Sequence, residues 1–384
     1  MKNKLRVGVV GMGHRGRELM KISAEFDCVI PAAACDLKPS NWYETQWLSN
    51  MPMAEMFPEA EFYESYDEML DKANLDIVIV ETGADIHAEF CVKALYKHIN
   101  VLTDIPLVAN LKEAEMIWKA AQEIDDAIIC TGANPNWSRF SVLLKDFYDK
   151  GLLGKPYYMD AEYIHPIFPG NEEEVHLYEN GNWRTLLSPI RYCTHSLGPL
   201  LRIVDEELRW VSCFGTGLQA NPEDYDQTAH PDDMQAAQFQ TDSGLVIRLL
   251  RNGRCRARCG HHNRRVFGTE GFIERMDKPD APCGRVIRYN SMKELDTSLK
   301  EVRGDDTPPA YENNPKATGH HDGVDYAMLD SFYKAVLNGD PAPVNVREGL
   351  AMTLPGIYAE ESSKRGGEVL RMRYPWDEDW TTEI

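Results

Sequence analysis

Two tyrosine–histidine pairs are the residues in this sequence best suited to proton transfer. Tyr163 and His165 are two positions apart in a predicted strand, so both side chains point to the same face of a sheet. Tyr192 and His195 are three positions apart and share a face if their segment is helical. Histidine titrates near neutral pH, and a tyrosine can act as a base if a nearby cation lowers its pKa. The alternative for each tyrosine is a core position with its hydroxyl group bonded to the backbone.

A glycine-rich segment near the N-terminus predicts a dinucleotide site. The apolar run Leu5–Val10 is typical of a buried strand, and the segment Gly11–Gly16 follows it as a G-x-G-x-x-G. The first glycine allows a tight turn, the second lets a pyrophosphate approach the backbone, and the third lets the next helix pack closely on the strand. The N-terminus of that helix would supply N–H groups for the phosphates. A glycine turn in some other α/β protein is the alternative.

The acid at the end of the second predicted strand bears on the choice of cofactor. This strand covers residues 29–35 and is followed by Asp36, whose carboxylate can accept hydrogen bonds from ribose hydroxyl groups. A carboxylate there would repel a 2′-phosphate, so the sequence favours NAD(H) over NADP(H). Lys38, two residues further on, leaves NADP(H) open as the cofactor.

Length, charge and cysteine usage restrict the class of protein. A chain of 384 residues, 43% hydrophobic and 27% charged, is predicted to form a globular protein of two domains. A formal net charge of −20 argues against nucleic acid or an anionic membrane as the partner. The nine cysteines are odd in number and scattered, which is typical of reduced thiols in the cytoplasm.

One group of residues has the composition of a zinc site. Cys255, Cys259, His261 and His262 lie close in sequence, but their spacing matches no common zinc motif. The same stretch also reads as a strand, in which residues four apart merely share a face. We therefore expect no metal.

Strands alternate with helices up to about residue 133. This alternation predicts a parallel, doubly wound sheet with right-handed crossovers, a Rossmann-type dinucleotide-binding domain. Ligands of such sheets bind beyond the carboxyl ends of the strands. The expected cofactor contacts at and beside these ends are Gly11, Met12, Gly13, His14, Arg15, Gly16, Asp36, Thr82, Gly83, His87, Asp104, Pro106 and Asn134.

The pattern changes after residue 133, where apolar and polar residues alternate along strands that no helices separate. The predicted strands cover residues 157–164, 208–216, 234–241, 244–250 and 254–266, and they indicate one large, open, mainly antiparallel sheet. We therefore divide the α/β chain into domains of residues 1–133 and 134–384. The second sheet is expected to leave one face uncovered, with Val211, Cys213 and Phe214 on it, which predicts a homo-oligomer, a dimer or a tetramer.

This domain order resembles the Gfo/Idh/MocA oxidoreductases. Members of that family usually carry Glu-Lys-Pro after the fifth strand and Asp-x-Gly-x-His in the second domain. The chain has Asp104-Ile105-Pro106 at the first place, without the lysine. At the second place it has Arg191-Tyr192-Cys193-Thr194-His195, which keeps only the histidine.

These departures resemble one branch, the NAD-dependent glycosidases of glycoside hydrolase family 109. That branch has Glu-Val-Pro, Tyr-x-His, Trp-Arg, Tyr-x-Thr-His-x-Leu-Gly-Pro and His-Gly-Gly-x-Asp. Asp104 is one methylene group shorter than the branch's glutamate, and Ala133–Trp137 replaces its Glu-Asn-x-x-Tyr. The other motifs correspond to Tyr163-Ile164-His165, Trp183-Arg184, Tyr192-Cys193-Thr194-His195-Ser196-Leu197-Gly198-Pro199 and His321-Asp322-Gly323-Val324-Asp325.

The resemblance implies a mechanism and a set of roles. Hydride passes from C3 of a sugar to NAD, a base removes the acidified C2 proton, the C1 substituent leaves, water adds and the hydride returns. The implied catalytic residues are Tyr163, His165, Tyr192 and His195, with Tyr163 as the base. The implied substrate-binding residues are Trp183, Arg184, Arg191 and His321. Arg184 or Arg191 could also supply the cation beside a tyrosine.

Three functions remain open on these residues. The first is cleavage of a glycoside with NAD recycled in every turnover. The second is a plain NAD-dependent sugar or polyol dehydrogenase, which would accumulate NADH. The third is a non-catalytic NAD-binding sensor, which the missing lysine would permit. The two enzymes would take a small-molecule sugar or glycoside as substrate, whereas the sensor would bind NAD without turnover of any sugar.

Overall fold

The chain forms two compact units. The computed structural model describes residues 4–46, 49–164, 187–219, 232–252, 262–278, 285–293, 300–303, 307–317 and 321–384. The first unit comprises Met1–Ala133 and Asn313–Leu350, and the second comprises Asn134–Glu312 and Ala351–Ile384. No helix among the described residues is both long and apolar enough to cross a membrane.

The second unit is therefore not the continuous segment 134–384 that the sequence suggested. Residues 313–350 pack with the first unit because their aromatic side chains find partners there. The Tyr326 ring stacks on Phe26 with 4.2 Å between the ring centres. The Tyr333 hydroxyl group is hydrogen-bonded to Ser23 at 2.6 Å. A segment that leaves a domain and returns to it carries no boundary signal in its own composition.

The first unit is built on a six-stranded parallel sheet in the order β3-β2-β1-β4-β5-β6. Its middle strands are apolar runs whose side chains are buried, as expected for a sheet covered on both faces. The strand order reverses between β1 and β4, where such sheets bind their ligands. The strands are β1 (Leu5–Val10), β2 (Val29–Cys35), β3 (Glu61–Tyr63), β4 (Ile77–Val80), β5 (Asn100–Thr103) and β6 (Ile129–Thr131).

The helices of this unit begin where polar side chains satisfy their first N–H groups. Ser65 Oγ accepts a hydrogen bond from the Glu68 N–H at 3.3 Å. Asn110 Oδ1 accepts one from the Glu113 N–H at 3.0 Å. The helices are α1 (His14–Ser23), α2 (Ser40–Tyr43), α3 (Met53–Met56), α4 (Tyr66–Lys72), α5 (His87–Leu95) and α6 (Leu111–Glu123).

The second unit is built on a nine-stranded sheet in the order β14-β13-β12-β11-β7-β10-β9-β8-β15. Neighbouring strands are antiparallel except for β7 and β10, which are parallel. The strands are β7 (Pro156–Ile164), β8 (Leu208–Gly215), β9 (Met234–Thr241), β10 (Val246–Asn252), β11 (Arg264–Gly268), β12 (Gly271–Asp277), β13 (Arg285–Ser291), β14 (Lys300–Arg303) and β15 (Leu370–Arg371).

Four further helices follow among the residues that the structure describes. They are α7 (Arg139–Asp149), α8 (Thr194–Leu201), α9 (Val324–Asn338) and α10 (Val346–Lys364), with short 3₁₀ helices at Asn134–Trp137, Pro189–Tyr192 and Pro309–Tyr311. Helix α9 belongs to the first unit, whereas α10 begins in the first unit and continues into the second.

The expected uncovered face of the second sheet carries other residues than the sequence indicated. Val211 and Cys213 are 1% and 0% exposed, so they lie on the covered face. There the Cys213 N–H donates to Ser362 Oγ of α10 at 2.9 Å. Trp210 and Phe214 alternate with them and are 38% and 61% exposed. The sequence analysis assigned Cys213 and Phe214 to the same face of the sheet, but adjacent residues of a strand point to opposite faces.

Candidate functional site

The glycine loop between β1 and α1 has the geometry that a dinucleotide needs. Gly11 has φ +88°, and a Cβ there would lie 2.4 Å from the Glu81 carbonyl oxygen. A Cβ on Gly16 would lie 2.0 Å from the Gly11 carbonyl oxygen. A Cβ on Gly13 would meet nothing within 4 Å, which leaves backbone accessible to a pyrophosphate. Helix α1 has no side-chain cap, so its N-terminus is available to phosphate oxygens. The loop therefore fits NAD.

Asp36 lies against this loop, as the sequence predicted. One of its carboxylate oxygens accepts a hydrogen bond from the Met12 N–H at 2.7 Å and another from Asn41 Nδ2 at 3.1 Å. The other oxygen accepts from the Lys38 N–H at 2.8 Å. These bonds hold the carboxylate in the position where ribose hydroxyl groups are recognised in this fold.

Arg15 and His321 belong to an ion-pair network of the first unit. Both outer nitrogen atoms of Arg15 bond to the Asp325 carboxylate at 2.6 Å, and one also bonds to Glu18 at 3.0 Å. His321 Nδ1 lies 2.7 Å from Asp325. Burial acts to raise the pKa of Asp325, but the charge of Arg15 holds it well below its ordinary value of 3.8. Among the described residues, the side chains of Glu18, His321 and Asp325 lie close enough together to hold a cation. Arg15, however, already forms ion pairs with both carboxylates.

The ends of β4 and β5 bring the remaining predicted cofactor residues together. The His87 ring lies between two carbonyl oxygens, with Nε2 3.0 Å from that of Thr82 and Nδ1 3.0 Å from that of Pro106. Gly83 follows Thr82 in the same turn. The ring thus ties the two strand ends to each other.

Glu81 is an acid at this edge that the sequence analysis passed over. It follows β4 directly, and Asp104 follows the neighbouring strand β5 in register with it. Burial and the nearby Asp104 carboxylate raise the pKa of Glu81 well above its ordinary value of 4.5. The signal for it was present in the sequence, because two parallel strands that each end in an acid place those acids side by side.

The second unit gathers four rings capable of proton transfer. The Tyr163 ring centre, near the end of β7, lies 6.3 Å from that of Tyr192 and 5.5 Å from that of His195. The centres of Tyr192 and His195 are 5.0 Å apart. His262, just before β11, stacks on Tyr163 at 3.8 Å and lies 5.8 Å from His195. We call Tyr163, Tyr192, His195 and His262 the ring cluster.

The cation beside these tyrosines is Arg251 of β10. Its guanidinium carbon lies 4.1 Å from the ring centre of Tyr163 and 5.6 Å from that of Tyr192. Arg191, one of the two arginines suggested from the sequence, instead forms an ion pair with Glu360 at 2.7 Å. Arg251 was missed because it reaches Tyr163 only through the parallel pairing of β7 with β10.

Several predicted site residues lie elsewhere or outside the described ranges. Asn134 is buried at the start of a 3₁₀ helix of the second unit. His165, Trp183 and Arg184 lie outside the described residues, as do three members of the possible zinc group: Cys255, Cys259 and His261.

Comparison with known proteins settles the identity of the first domain. Residues 5–131 match the model of an oxidoreductase family with an NAD-binding Rossmann fold, Gfo/Idh/MocA. These residues form a Gfo/Idh/MocA NAD-binding domain. The predicted family resemblance, fold class and cofactor NAD are thereby confirmed, and the chain is an NAD-dependent enzyme.

Similar proteins match the chain over both units. A glycosyl hydrolase family 109 protein of Shewanella pealeana is 23% identical over 381 residues, which cover 93% of this chain and 82% of the relative. An alpha-N-acetylgalactosaminidase of Shewanella oneidensis is 23% identical over 387 residues, with the same coverage. The structure of scyllo-inositol dehydrogenase from Lactobacillus casei with NAD(H) and scyllo-inositol superimposes with a TM-score of 0.73 at 16% identity. This superposition covers 96% of this chain and 99% of that one.

Proposed function

We propose that this Gfo/Idh/MocA enzyme cleaves a glycosidic bond and uses its ring cluster for the proton transfers. The observation that carries the proposal is the packing of two phenol and two imidazole groups against one another, with one buried guanidinium beside both phenols. The relatives named for glycoside hydrolysis favour a glycoside as the substrate. NAD, when bound, supplies reversible hydride transfer.

The ring cluster offers a separate group for each proton that such a cleavage moves. Oxidation of a sugar hydroxyl group releases the proton of that hydroxyl group, and we assign its acceptance to His195. A carbonyl group at C3 acidifies the C–H bond at C2, and we assign the removal of that proton to Tyr163. The C2 electron pair then forms the C1–C2 double bond as the bond from C1 to the leaving oxygen breaks. We assign the return of a proton to that oxygen to Tyr192 or His262.

Replacement of Tyr163 by phenylalanine tests this assignment. We expect Tyr163→Phe to slow the exchange of the substrate's C2 proton with solvent deuterium by about 100-fold or more, because the base is lost. NAD binding should be unchanged, since the glycine loop belongs to the other unit. Tyr158→Phe on the same strand is the matched control, because Tyr158 lies an odd number of residues before Tyr163 and its side chain therefore points to the opposite face of the sheet.

The contrary results point to other residues. If Tyr163→Phe exchanges the C2 proton at the parent rate, Tyr163 is not the base, and His165 becomes the better candidate. His195→Ala should instead slow the oxidation of the substrate. A His195→Ala variant that oxidises its substrate at the parent rate would remove His195 from the assignment.

The second candidate is a plain NAD-dependent sugar or polyol dehydrogenase. The fold shared with scyllo-inositol dehydrogenase favours it. Against it stands Ile105, which occupies the place of the lysine that the family's dehydrogenases usually carry. Steady accumulation of NADH from a free sugar would select this candidate, and NAD binding without any turnover would select a sensor.

We also propose that the enzyme acts in the cytoplasm. The described cysteines Cys28, Cys35, Cys91, Cys130, Cys193 and Cys213 are all free thiols. Burial raises the pKa of the Cys91 and Cys130 thiols to about 12, so both stay protonated at neutral pH. Such thiols suit a reducing compartment.

A further inference from the structure

Arg251 is held rigidly against the aromatic residues of the second unit. It lies beside Tyr163 in the parallel pairing of β10 with β7 and is only 3% exposed. Its Nη1 atom donates hydrogen bonds to the carbonyl oxygens of Tyr163, at 3.1 Å, and of Asn252. These bonds fix the guanidinium to the backbone of the residue whose ring it covers.

Two more buried arginines bind the main chain of the ring cluster. Arg264 on β11 donates from Nη2 to the His195 carbonyl oxygen at 2.6 Å. Arg275 on β12 donates from Nη1 to the His262 carbonyl oxygen at 2.6 Å. Both side chains are 3% exposed and stand opposite each other in the β11–β12 pairing. Three strands of this sheet, β10, β11 and β12, therefore each anchor one ring residue through an arginine.

Arg251 differs from the other two because its charge also faces the rings themselves. A guanidinium stays charged at every pH that a protein tolerates. A fixed positive charge close to a phenol favours its phenolate form, and the effect is larger in a buried site than in water. Tyr163 is also faced by Tyr192 and by the imidazoles of His195 and His262, while Arg191 is paired with Glu360.

We infer that Arg251 is a positioning residue that makes Tyr163 ionise at lower pH than a tyrosine in water, and so enables it to act as a base. The inference deepens the proposed function, because it names the group on which the assigned base depends. The effect of the Arg251 charge on the ionisation of Tyr163 is a property of the protein alone and requires neither substrate nor NAD.

Ultraviolet titration of tyrosinate tests this inference directly. The difference between the parent and Tyr163→Phe isolates one phenol among the 17 tyrosines of the chain. The same difference is then measured with Arg251→Met present in both proteins. We expect its midpoint to rise by about one pH unit or more, because the cation is lost while the length of the side chain is kept. Arg251→Lys retains a charge and should restore part of the shift, which a purely structural role of Arg251 would not predict.

Arg248→Met is the matched control, because Arg248 is on the same strand and its guanidinium binds Asp160 at 2.8 Å. It should leave the titration unchanged. If Arg251→Met does not fold, Arg251→Gln carries the test, since its amide can still donate to the Tyr163 carbonyl oxygen while the charge is lost.

Two results would overturn the inference. One is a parent in which Tyr163 ionises no earlier than free tyrosine, and the other is a folded Arg251→Met or Arg251→Gln with an unchanged midpoint. A shifted titration in a protein that cleaves no glycoside would reject the proposed function and leave the role of Arg251 standing.

Discussion

At the scale of the residue, the pairing of Arg15 with Asp325 supports the start of the nucleotide-binding helix. The Asp325 side chain is 3% exposed and the Arg15 side chain 18%. We expect Asp325→Asn to lower the free energy of unfolding at pH 7 by about 3–5 kcal/mol, because Arg15 loses the partner of a largely buried charge. Glu18 also binds Arg15, which places the expected value at the low end of that range.

The sign of the pH dependence follows from the lowered pKa of Asp325. A carboxyl group whose pKa is depressed by folding contributes stability above its unfolded value, and this contribution is lost as the pH falls through the folded value. The difference between parent and variant should therefore be full at neutral pH and shrink only below the ordinary value of 3.8. Urea unfolding across pH measures it. Asp330→Asn on the same helix, whose partner Lys334 is 67% exposed, should cost less than about 1 kcal/mol.

Residue types alone anticipated three of the four ring-cluster members. Tyr163, Tyr192 and His195 stood out because phenol and imidazole groups recurred at spacings that share a face. Arg251 did not stand out, because a single arginine in a strand has many ordinary explanations, and His262 was considered only as part of a possible zinc group. Strand pairing brings Arg251 to Tyr163, which is 88 residues away along the chain.

At the scale of the element, two glycines in the turn from β1 to α1 have different roles, one in cofactor binding and one in stability. We expect Gly13→Ala to keep the stability of the parent, because a Cβ there meets no protein atom within 4 Å. Its NAD dissociation constant should rise by about tenfold or more, because the methyl group keeps a pyrophosphate off the backbone. Thermal unfolding and a fluorescence titration with NADH measure the two effects.

Gly16→Ala is the informative comparison for this turn. Its Cβ would lie 2.0 Å from the Gly11 carbonyl oxygen, so α1 must move and the protein should be destabilised even without cofactor. A Gly13→Ala variant that binds NAD as tightly as the parent would contradict the assignment of the loop.

Periodicity anticipated some elements much better than others. The strands of the first sheet stand out in the sequence as apolar runs because both faces of that sheet are buried. Strands β12, β13 and β14 were not anticipated, since polar and charged residues occupy much of this edge of the sheet. The parallel pairing of β7 with β10 was hidden for another reason: local sequence does not encode which distant strand is the neighbour.

At the scale of the whole molecule, the outer face of the second sheet carries a row of alternating charges. We define this face as the side on which Trp210 and Phe214 are exposed. Arg248 and Arg265 both bind Asp160, at 2.8 and 3.0 Å, on adjacent strands. Glu274 lies opposite Arg265 in the β11–β12 pairing and forms an ion pair with Arg288 of β13 at 3.6 Å. Because its signs alternate, such a row can pair with itself when a second copy is related by a two-fold axis.

We therefore expect a homo-oligomer, a dimer or a tetramer, assembled through this face. Phe214→Glu should shift the protein towards the monomer in sedimentation velocity, because it places a charge among the exposed apolar residues. Leu37→Glu is the control, since Leu37 is 88% exposed in the first unit and should change nothing. A parent that sediments as a monomer at micromolar concentration would contradict this expectation.

The central claim is that a glycoside is cleaved through temporary loss of its C2 proton, with the cofactor returned to its starting state. The most direct measurement follows aryl glycosides in deuterated water by NMR while the absorbance of NADH is recorded. The account predicts a released sugar that carries deuterium at C2, and no NADH that accumulates with turnover. Steady formation of NADH from a free sugar, with the C2 proton retained in every glycoside tried, would contradict it.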